Sequence, residues 1–451
     1  FRRVLFRSLW TNLGPEVINI SYTGSRSIIH RVIQIDFSSI SAFLTGFSTY
    51  PQPLRLRLRI FTIFFLYKQT HQTVRKGELS TIMKLVFDKA DLVKSVGIAM
   101  KAVSGKTTMP ILECILIDAS SNVIKFTSND MELGIETIVT GMILERGIVA
   151  LDAKIFSEIV RKLPDNQVTI ETDENLVTTI TCEKAKFNIP GQSGEDFSYL
   201  PILETSDCVS ISQFTLKELI RQTIFSIAAN ENNKLMTGEL FEIKDNTLRV
   251  VSLDGHRIAI RRIELKDSYP DRKVVVPGKT LNEISKILSG EMDDQIDIYF
   301  SENHIMFKFD DTTVVSRLID GEYFRIDQML SSDYETKVTI NKKEFLSCID
   351  RATLLVKEGD KKPIIIDIQD GAMELQINSA MGSMKEEIDI NKEGKDIMIG
   401  FNPKFLIDAL RVIDDEEISI YLVNPKAPCF IRNEEESYIY LILPVNFNSV
   451  R

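Results

Sequence analysis

From residue 83 onward the chain alternates short apolar runs with polar turns, and at intervals the alternation lengthens into an amphipathic helix. Three ten-residue segments share one plan: KIFSEIVRKL (154–163), KTLNEISKIL (279–288) and KFLIDALRVI (404–413), each starting 125 residues after the one before. At about 100° per residue, places 3, 6 and 10 fall on one helix face. Apolar residues occupy them: Phe156, Ile159, Leu163; Leu281, Ile284, Leu288; Leu406, Ala409, Ile413. Places 1 and 8 stack on the opposite face, and they hold Lys154 and Arg161, Lys279 and Lys286, Lys404 and Arg411. Place 5 is acidic each time (Glu158, Glu283, Asp408) and lies within reach of both bases. One such helix reads as a solvated, ion-paired surface. Three helices holding the same bases in register point to a surface that meets an anionic partner.

A second helix recurs with nearly the same period: KADLVKSVGIA (89–99), LKELIRQTIFSIA (216–228) and KKEFLSCIDRATLL (342–355), with Leu92, Leu219 and Phe345 in correspondence. Short strands precede them at 85–87, 209–211 and 338–340. Paired apolar runs about a polar turn follow both kinds of helix, at 114–128, 240–254 and 364–378 and at 168–182, 296–309 and 418–432, which is the signature of a hairpin. Each third of residues 83–451 therefore reads β-α-β-β-β twice. The expected class is α+β, with domains at 83–203, 204–331 and 332–451. Half-units of this kind cannot bury both sheet and helix alone, so they need neighbours.

Residues 1–82 break the pattern. They hold 11 Lys/Arg against three acids (Glu16, Asp36, Glu78) and the only Trp, with no sustained period. Met83 is expected to be the natural start and the leader to be translated upstream sequence; the competing reading is a basic arm for DNA or membrane. Its most apolar stretch, IFTIFFLY (60–67), falls short of the roughly 18 residues of a membrane span. Of the chain's 54 bases and 64 acids, 43 and 61 remain in residues 83–451, so the repetitive part is strongly acidic despite its basic helix faces. Five cysteines (Cys114, Cys182, Cys208, Cys348, Cys429), widely spaced and without a CxxC pair, argue against a disulfide framework or zinc site. They read as small buried apolar residues of a cytoplasmic protein.

Five motifs then carry a resemblance: TTMPILECILI (107–117), FTSNDMELGIE (126–136), SLDGHRIAI (252–260), SRLIDGEYF (316–324) and YLILPV (440–445). Together they make residues 83–451 resemble the bacterial sliding clamps, the beta subunits of DNA polymerase III. The resemblance implies three tandem clamp domains forming half of a closed, homodimeric ring, helices inside and sheets outside. Six inner helices spaced about 9–10 Å apart would make a ring of about 18 Å, too tight for duplex DNA, whereas twelve give about 36 Å. Two chains are thus expected to meet. Such a ring encircles duplex DNA without reading sequence and tethers the replicative polymerase. Modest positive charge at the bore suffices for this, and an acidic exterior discourages non-specific sticking.

The resemblance also implies residue roles. Lys106, Lys154, Arg161, Lys279 and Asn230 match DNA-contacting positions, joining Lys286, Lys404 and Arg411 from helix geometry. A groove for short hydrophobic peptides of polymerases, the clamp loader and repair proteins is implied at Met236, Leu253, Gly255, His256, Arg257, Ile258, Ser331, Pro428, Leu441, Leu443, Pro444, Val445, Asn446 and Phe447. Ser331 stands where proline is frequent and Asn446 where arginine is, which bears on peptide preference. Phe187 and Ile189 are implied to face Leu354 and Leu355 of the second chain. No metal or cofactor is expected. An enzyme centred on His256 competes, but no P-loop, GxGxxG, HExxH or nucleophile motif accompanies that histidine. SNDMELGIE, with Asp130, Glu132 and Glu136, mimics a metal site and reads instead as a strand with one polar face. A monomeric scaffold that binds only proteins is the third reading.

Overall fold

Period-2 runs and capped helices set the architecture. The computed structural model describes residues 82–105, 107–203, 208–229, 233–330, 333–356 and 362–447, which belong to one unit, Ser80–Arg451. Among the described residues six α-helices stand where the repeats predict: α1 (Lys89–Ala99), α2 (Ala153–Lys162), α3 (Gln213–Arg221), α4 (Gly278–Ser285), α5 (Lys342–Thr353) and α6 (Pro403–Val412). Side chains just ahead of them fix several starts, because a short polar group satisfies a backbone N–H that lacks a helical partner. Asp152 accepts from Ile155 N, Ser212 from Thr215 N and Asn341 from Glu344 N. The Ser212 cap places the start of α3 three residues before the predicted one. Counted from the helix start, Leu216 and not Leu219 corresponds to Leu92 and Phe345. The chain then leaves α3 at Arg221 and makes a 3-10 turn at Ile224–Ser226.

The predicted stripes are buried except at Ile159, which is half-buried at the edge of its core. Phe156, Leu281 and Leu406 are 0–1% exposed, as are Leu92, Leu216 and Phe345. Three helix-on-sheet cores result, one in each third of the chain, and Phe126 packs edge-on against both Phe87 and Phe156 in the first. Cys114, Cys182, Cys348 and Cys429 are buried and free, while Cys208 is only half-buried, short of the burial expected for it. Burial pushes the Cys429 thiol up to about 12.

Hairpins pair as predicted at 114–129, 167–182, 295–309, 364–379 and 417–432. At 240–254 the expected hairpin is written differently. The strand runs from Gly238 to Leu253 along Arg257–Pro277, with register breaks around Asp245, whose φ of 52° marks a sharp bend. SNDMELGIE is likewise not one strand. Asp130 caps a turn by accepting from Glu132 N and Leu133 N at 3.0 and 2.7 Å, and only Glu136 lies in a strand, paired with Lys125 at 2.8 Å.

Consecutive thirds are welded by the same antiparallel joint. Leu133–Val139 pairs with Thr312–Arg317 (Leu133↔Ser316, Ile135↔Val314). The start of Arg257–Pro277 pairs with Tyr438–Ile442 (Arg257↔Ile442, Ala259↔Tyr440). In each joint a strand after the first helix of one third meets the last strand of the next. Two strands of these kinds are left over. Among the described residues, Gly382–Asp389 pairs only with Ala372–Ser379, and residues 185–190 pair only with Val177–Cys182.

Candidate nucleic-acid and partner interfaces

The three repeated helices turn their bases to solvent: Lys154, Arg161, Lys279, Lys286, Lys404 and Arg411 are all exposed. Lys154 and Lys404 have no ion pair among the described residues, and the Arg161 side chain donates to Ser157 O at 3.2 Å. Lys286 pairs with Glu283 at 2.7 Å, Arg411 with Asp350 at 3.4 Å and Lys279 with Asp130. The place-5 acids thus do not neutralise both bases as expected. Asp408 instead reaches Arg257 at 2.7 Å, and Glu283 reaches Lys101 at 3.9 Å as well as Lys286. Both acids are drawn toward a preceding third of the chain, and Lys154, Arg161 and Lys404 are left without an ion pair among the described residues. Lys106, Asn230 and Ser331 lie outside the described residues.

The strand joint at Arg257–Arg261 also organises the expected groove. Leu253, Ile258 and Leu441 are buried in one apolar cluster with Met236 packed against it, alongside Leu235, Ile319, Tyr323 and Phe324. Gly255 takes a φ of +85°, a conformation glycine adopts without strain, and so makes the turn that opens the next strand. Asp254 accepts from His256 N at 2.9 Å, and His256 O accepts from Leu443 N at 2.9 Å, which ties the tail to the turn. The His256 ring stacks on Phe405 at 6.0 Å. Pro428 leads into Cys429–Arg432, whose Cys429 faces Ile442. Leu443 is exposed and Pro444 half-buried beside this cluster. The tail then turns away: Val445 N donates to Gly400 O at 2.8 Å, and Phe447 lies against Gly400, where an added Cβ would meet its ring at 2.7 Å. Asn446 is exposed.

Arg257 is a different case from the rest of the predicted groove. Its side chain is 8% exposed and bonded to Asp254 (3.0 Å), Asp408 (2.7 Å) and Phe225 O (2.6 Å). It also sits 4.5 Å over the Phe405 ring and 5.3 Å over that of Phe225. All its polar reach is spent inside the chain, so it braces the groove and offers a peptide little. Phe225, Phe405 and Asp408 carry this arrangement, and the sequence pattern holds no signal for it because Arg257 and Asp408 stand about 150 positions apart.

Behind the groove floor, Glu239 is fully buried and neither carboxyl oxygen has a partner. Thr223 stands nearby, but its hydroxyl donates to Leu219 O at 2.6 Å. Desolvation therefore dominates and holds this carboxyl well above its ordinary 4.5. Burial likewise raises Tyr323, whose phenol donates to Val251 O at 3.3 Å.

At the leftover edges, Phe187 is 39% and Leu354 74% exposed, Ile189 is 8% exposed and Leu355 is half-buried. They lie in opposite end thirds of the chain and do not meet within it.

Models of one family match three successive stretches: DNA polymerase III beta subunit, N-terminal domain over residues 83–201, central domain over 210–324 and C-terminal domain over 327–446. The beta sliding clamp of Staphylococcus epidermidis is 33% identical over 375 residues, covering 81% of this chain and 99% of that protein. A solved Eubacterium rectale structure, provisionally described as a DNA polymerase III beta subunit, is 72% identical with a TM-score of 0.79. The Bacillus subtilis DNA polymerase sliding clamp is 35% identical with a TM-score of 0.78. Each covers 81% of this chain and is itself covered completely.

Proposed function

The chain belongs to the family of DNA polymerase III beta subunits, the bacterial sliding clamps, and we propose that two copies close a ring around duplex DNA through the two strand edges left unpaired within one chain. It is a non-catalytic processivity factor that tethers the replicative polymerase. His256 then needs no chemical role, which fits its stacking on Phe405 and its place in a turn. The domain limits proposed are 83–203, 204–331 and 332–451. The setting is the cytoplasm, as suits a polymerase subunit with free cysteines.

The observation that carries the ring is the repeated joint. Gly382–Asp389 is the counterpart of Leu133–Val139 and of the strand that starts at Arg257, and 185–190 is the counterpart of Thr312–Arg317 and Tyr438–Ile442. If the joint repeats a third time between chains, its register follows from the other two. Gly382 then faces Ile189 of the second copy, and Met384 faces Phe187. This Met384–Phe187 pair takes the place of Ile135–Val314 and Ala259–Tyr440, both directed into a core. Leu354 takes the place of Phe225, which packs on Tyr440 at 5.7 Å, so Leu354 belongs beside Phe187. Leu355 lies beside Gly382, where an added Cβ would meet it at 3.7 Å. An antiparallel edge with alternating apolar contacts is a sufficient docking surface for its own complement.

The exposed bases of α2, α4 and α6 are the proposed DNA contacts, with Lys106 and Asn230 added by resemblance. Lysine and arginine on a convex helix face attract phosphates without reading bases, which suits a ring that must move. The Leu253–Ile258–Leu441 cluster, open at Met236, Leu443 and His256, is the proposed peptide groove. An apolar floor with few polar anchors fits short hydrophobic segments of the polymerase, clamp loader and repair proteins. Sedimentation equilibrium tests the ring: a mass near twice 51.3 kDa is expected for the 451-residue chain. Met384→Glu or Phe187→Glu should reduce it to one chain, and dimers that survive both would refute this seam.

A further inference from the structure

Each joint inside the chain is fastened by charge. At the first, Glu283 of α4 meets Lys101, just beyond α1, at 3.9 Å, and Lys279 meets Asp130. At the second, Asp408 of α6 meets Arg257 at 2.7 Å, while Asp414 accepts from Arg221 and Gln222 at 2.7 and 3.2 Å. Glu283 and Asp408 hold the same place in their helices, and both retain about a fifth of their side-chain exposure, 22% and 21%. The acid at that place in α2 is Glu158. It is exposed, and it has no ion pair among the described residues.

The internal repeat says what a second copy brings to Glu158. Ser128 donates to Ala99 O and Ser252 to Thr223 O, both at 2.5 Å, so Ala99 and Thr223 are counterparts. Counting from the starts of α1, α3 and α5 adds Ala352 to them. Two positions further on stand Lys101, Phe225 and Leu354. The hairpin pairs Asn129↔Gly134, Leu253↔Ile258 and Asn378↔Ser383 likewise align Leu133, Arg257 and Gly382, and Asp130, Asp254 and Ser379. Where the in-chain joints present Lys101 or Arg257 to the acid, the third edge presents Leu354 and Gly382. Where Asp130 meets Lys279, Ser379 would meet Lys154. Where Asp414 accepts from Arg221, the α2 side has Pro164 and the opposite side Asp350.

We infer that the seam between copies lacks, among the described residues, the ionic fastenings found at the joints inside the chain, and that Glu158 is carried into it without the counter-charge that Glu283 and Asp408 meet. This rests on the ring reading above. Closing the ring brings Glu158 from an exposed position to the partial burial of Glu283 and Asp408, so it loses hydration without gaining the ion pair of its counterparts. The seam thereby forgoes, at this place, the ion pair that fastens each joint inside the chain.

The test is one substitution made at three equivalent places. Glu158→Gln should tighten the dimer, lowering its dissociation constant about three- to tenfold, as expected for relief of a partly buried charge. Glu158→Ala should change it in the same direction. Glu283→Gln and Asp408→Asn, which break existing pairs, should instead lower the chain's unfolding midpoint. A dissociation constant that rises with Glu158→Gln would overturn the inference by showing that a base meets Glu158 at the seam, and one that stays the same would overturn it by showing that the charge is not desolvated there. A wild-type chain that stays at 51.3 kDa at every concentration would instead refute the ring reading, and the inference with it.

Discussion

Two buried ionisable side chains show how differently one joint treats charge. Arg257 is enclosed but fully partnered, by two carboxylates, one carbonyl and two ring faces. Removing one carboxylate leaves that charge short of a partner, so Asp408→Asn should destabilise the chain by about 2 kcal/mol in denaturant unfolding. Glu239 is enclosed without hydrogen-bond partners among the described residues, and burial raises its pKa well above the ordinary range. Its folded pKa lies above its unfolded one, so the folded chain binds more protons across the interval. Stability is then fully present below the unfolded pKa near 4.3 and falls as pH rises toward the folded one, by up to about 1.4 kcal/mol per pH unit. Glu239→Gln removes this titration. The variant should gain stability over the parent between pH 5 and pH 8 in parallel unfolding curves, and an unchanged difference would show that Glu239 is ionised in the fold. Neither role was legible in the sequence. Glu239 sits in an apolar run that names no partner, and Arg257 is expected to line the groove, whereas its side chain is spent on partners inside the chain.

Helices and hairpins were legible because their periods are local. A stripe at places 3, 6 and 10 predicts the buried face of α2, α4 and α6 whatever packs on it, and the opposite bases are exposed as expected. What the period could not tell was the destination of the acid between those bases. On an isolated helix it would pair at i+3 or i−4. In the fold, Glu283 and Asp408 are drawn to bases of a preceding third. The same reason explains the misplaced start of α3, which a serine cap sets and no hydrophobic residue marks. With Lys154 and Lys404 free of ion pairs among the described residues, their charge is available to phosphate. Each phosphate deprived of its basic partner should lower the slope of log affinity against log salt by about 0.9. Lys154→Ala with Lys404→Ala should therefore flatten that slope for duplex DNA of any sequence, while a change confined to one sequence would point to base reading.

At the scale of the whole molecule, three like thirds joined by two like strand pairings leave one edge of each kind open, and a second copy supplies both complements. This arrangement reconciles a strongly acidic chain with a DNA partner, since the three repeated helical segments carry seven bases against three acids and so are locally basic. It also separates holding from gripping: a closed ring needs only weak attraction to stay on DNA as long as the DNA has no end. The most direct measurement follows from that topology. The chain is loaded by its clamp loader onto a nicked circular plasmid, and the protein that co-elutes with DNA on gel filtration is compared before and after a single cut linearises the plasmid. Retention on the circle and loss from the cut molecule is the predicted result. Equal retention on both would mean that the protein binds a surface of DNA and does not surround it.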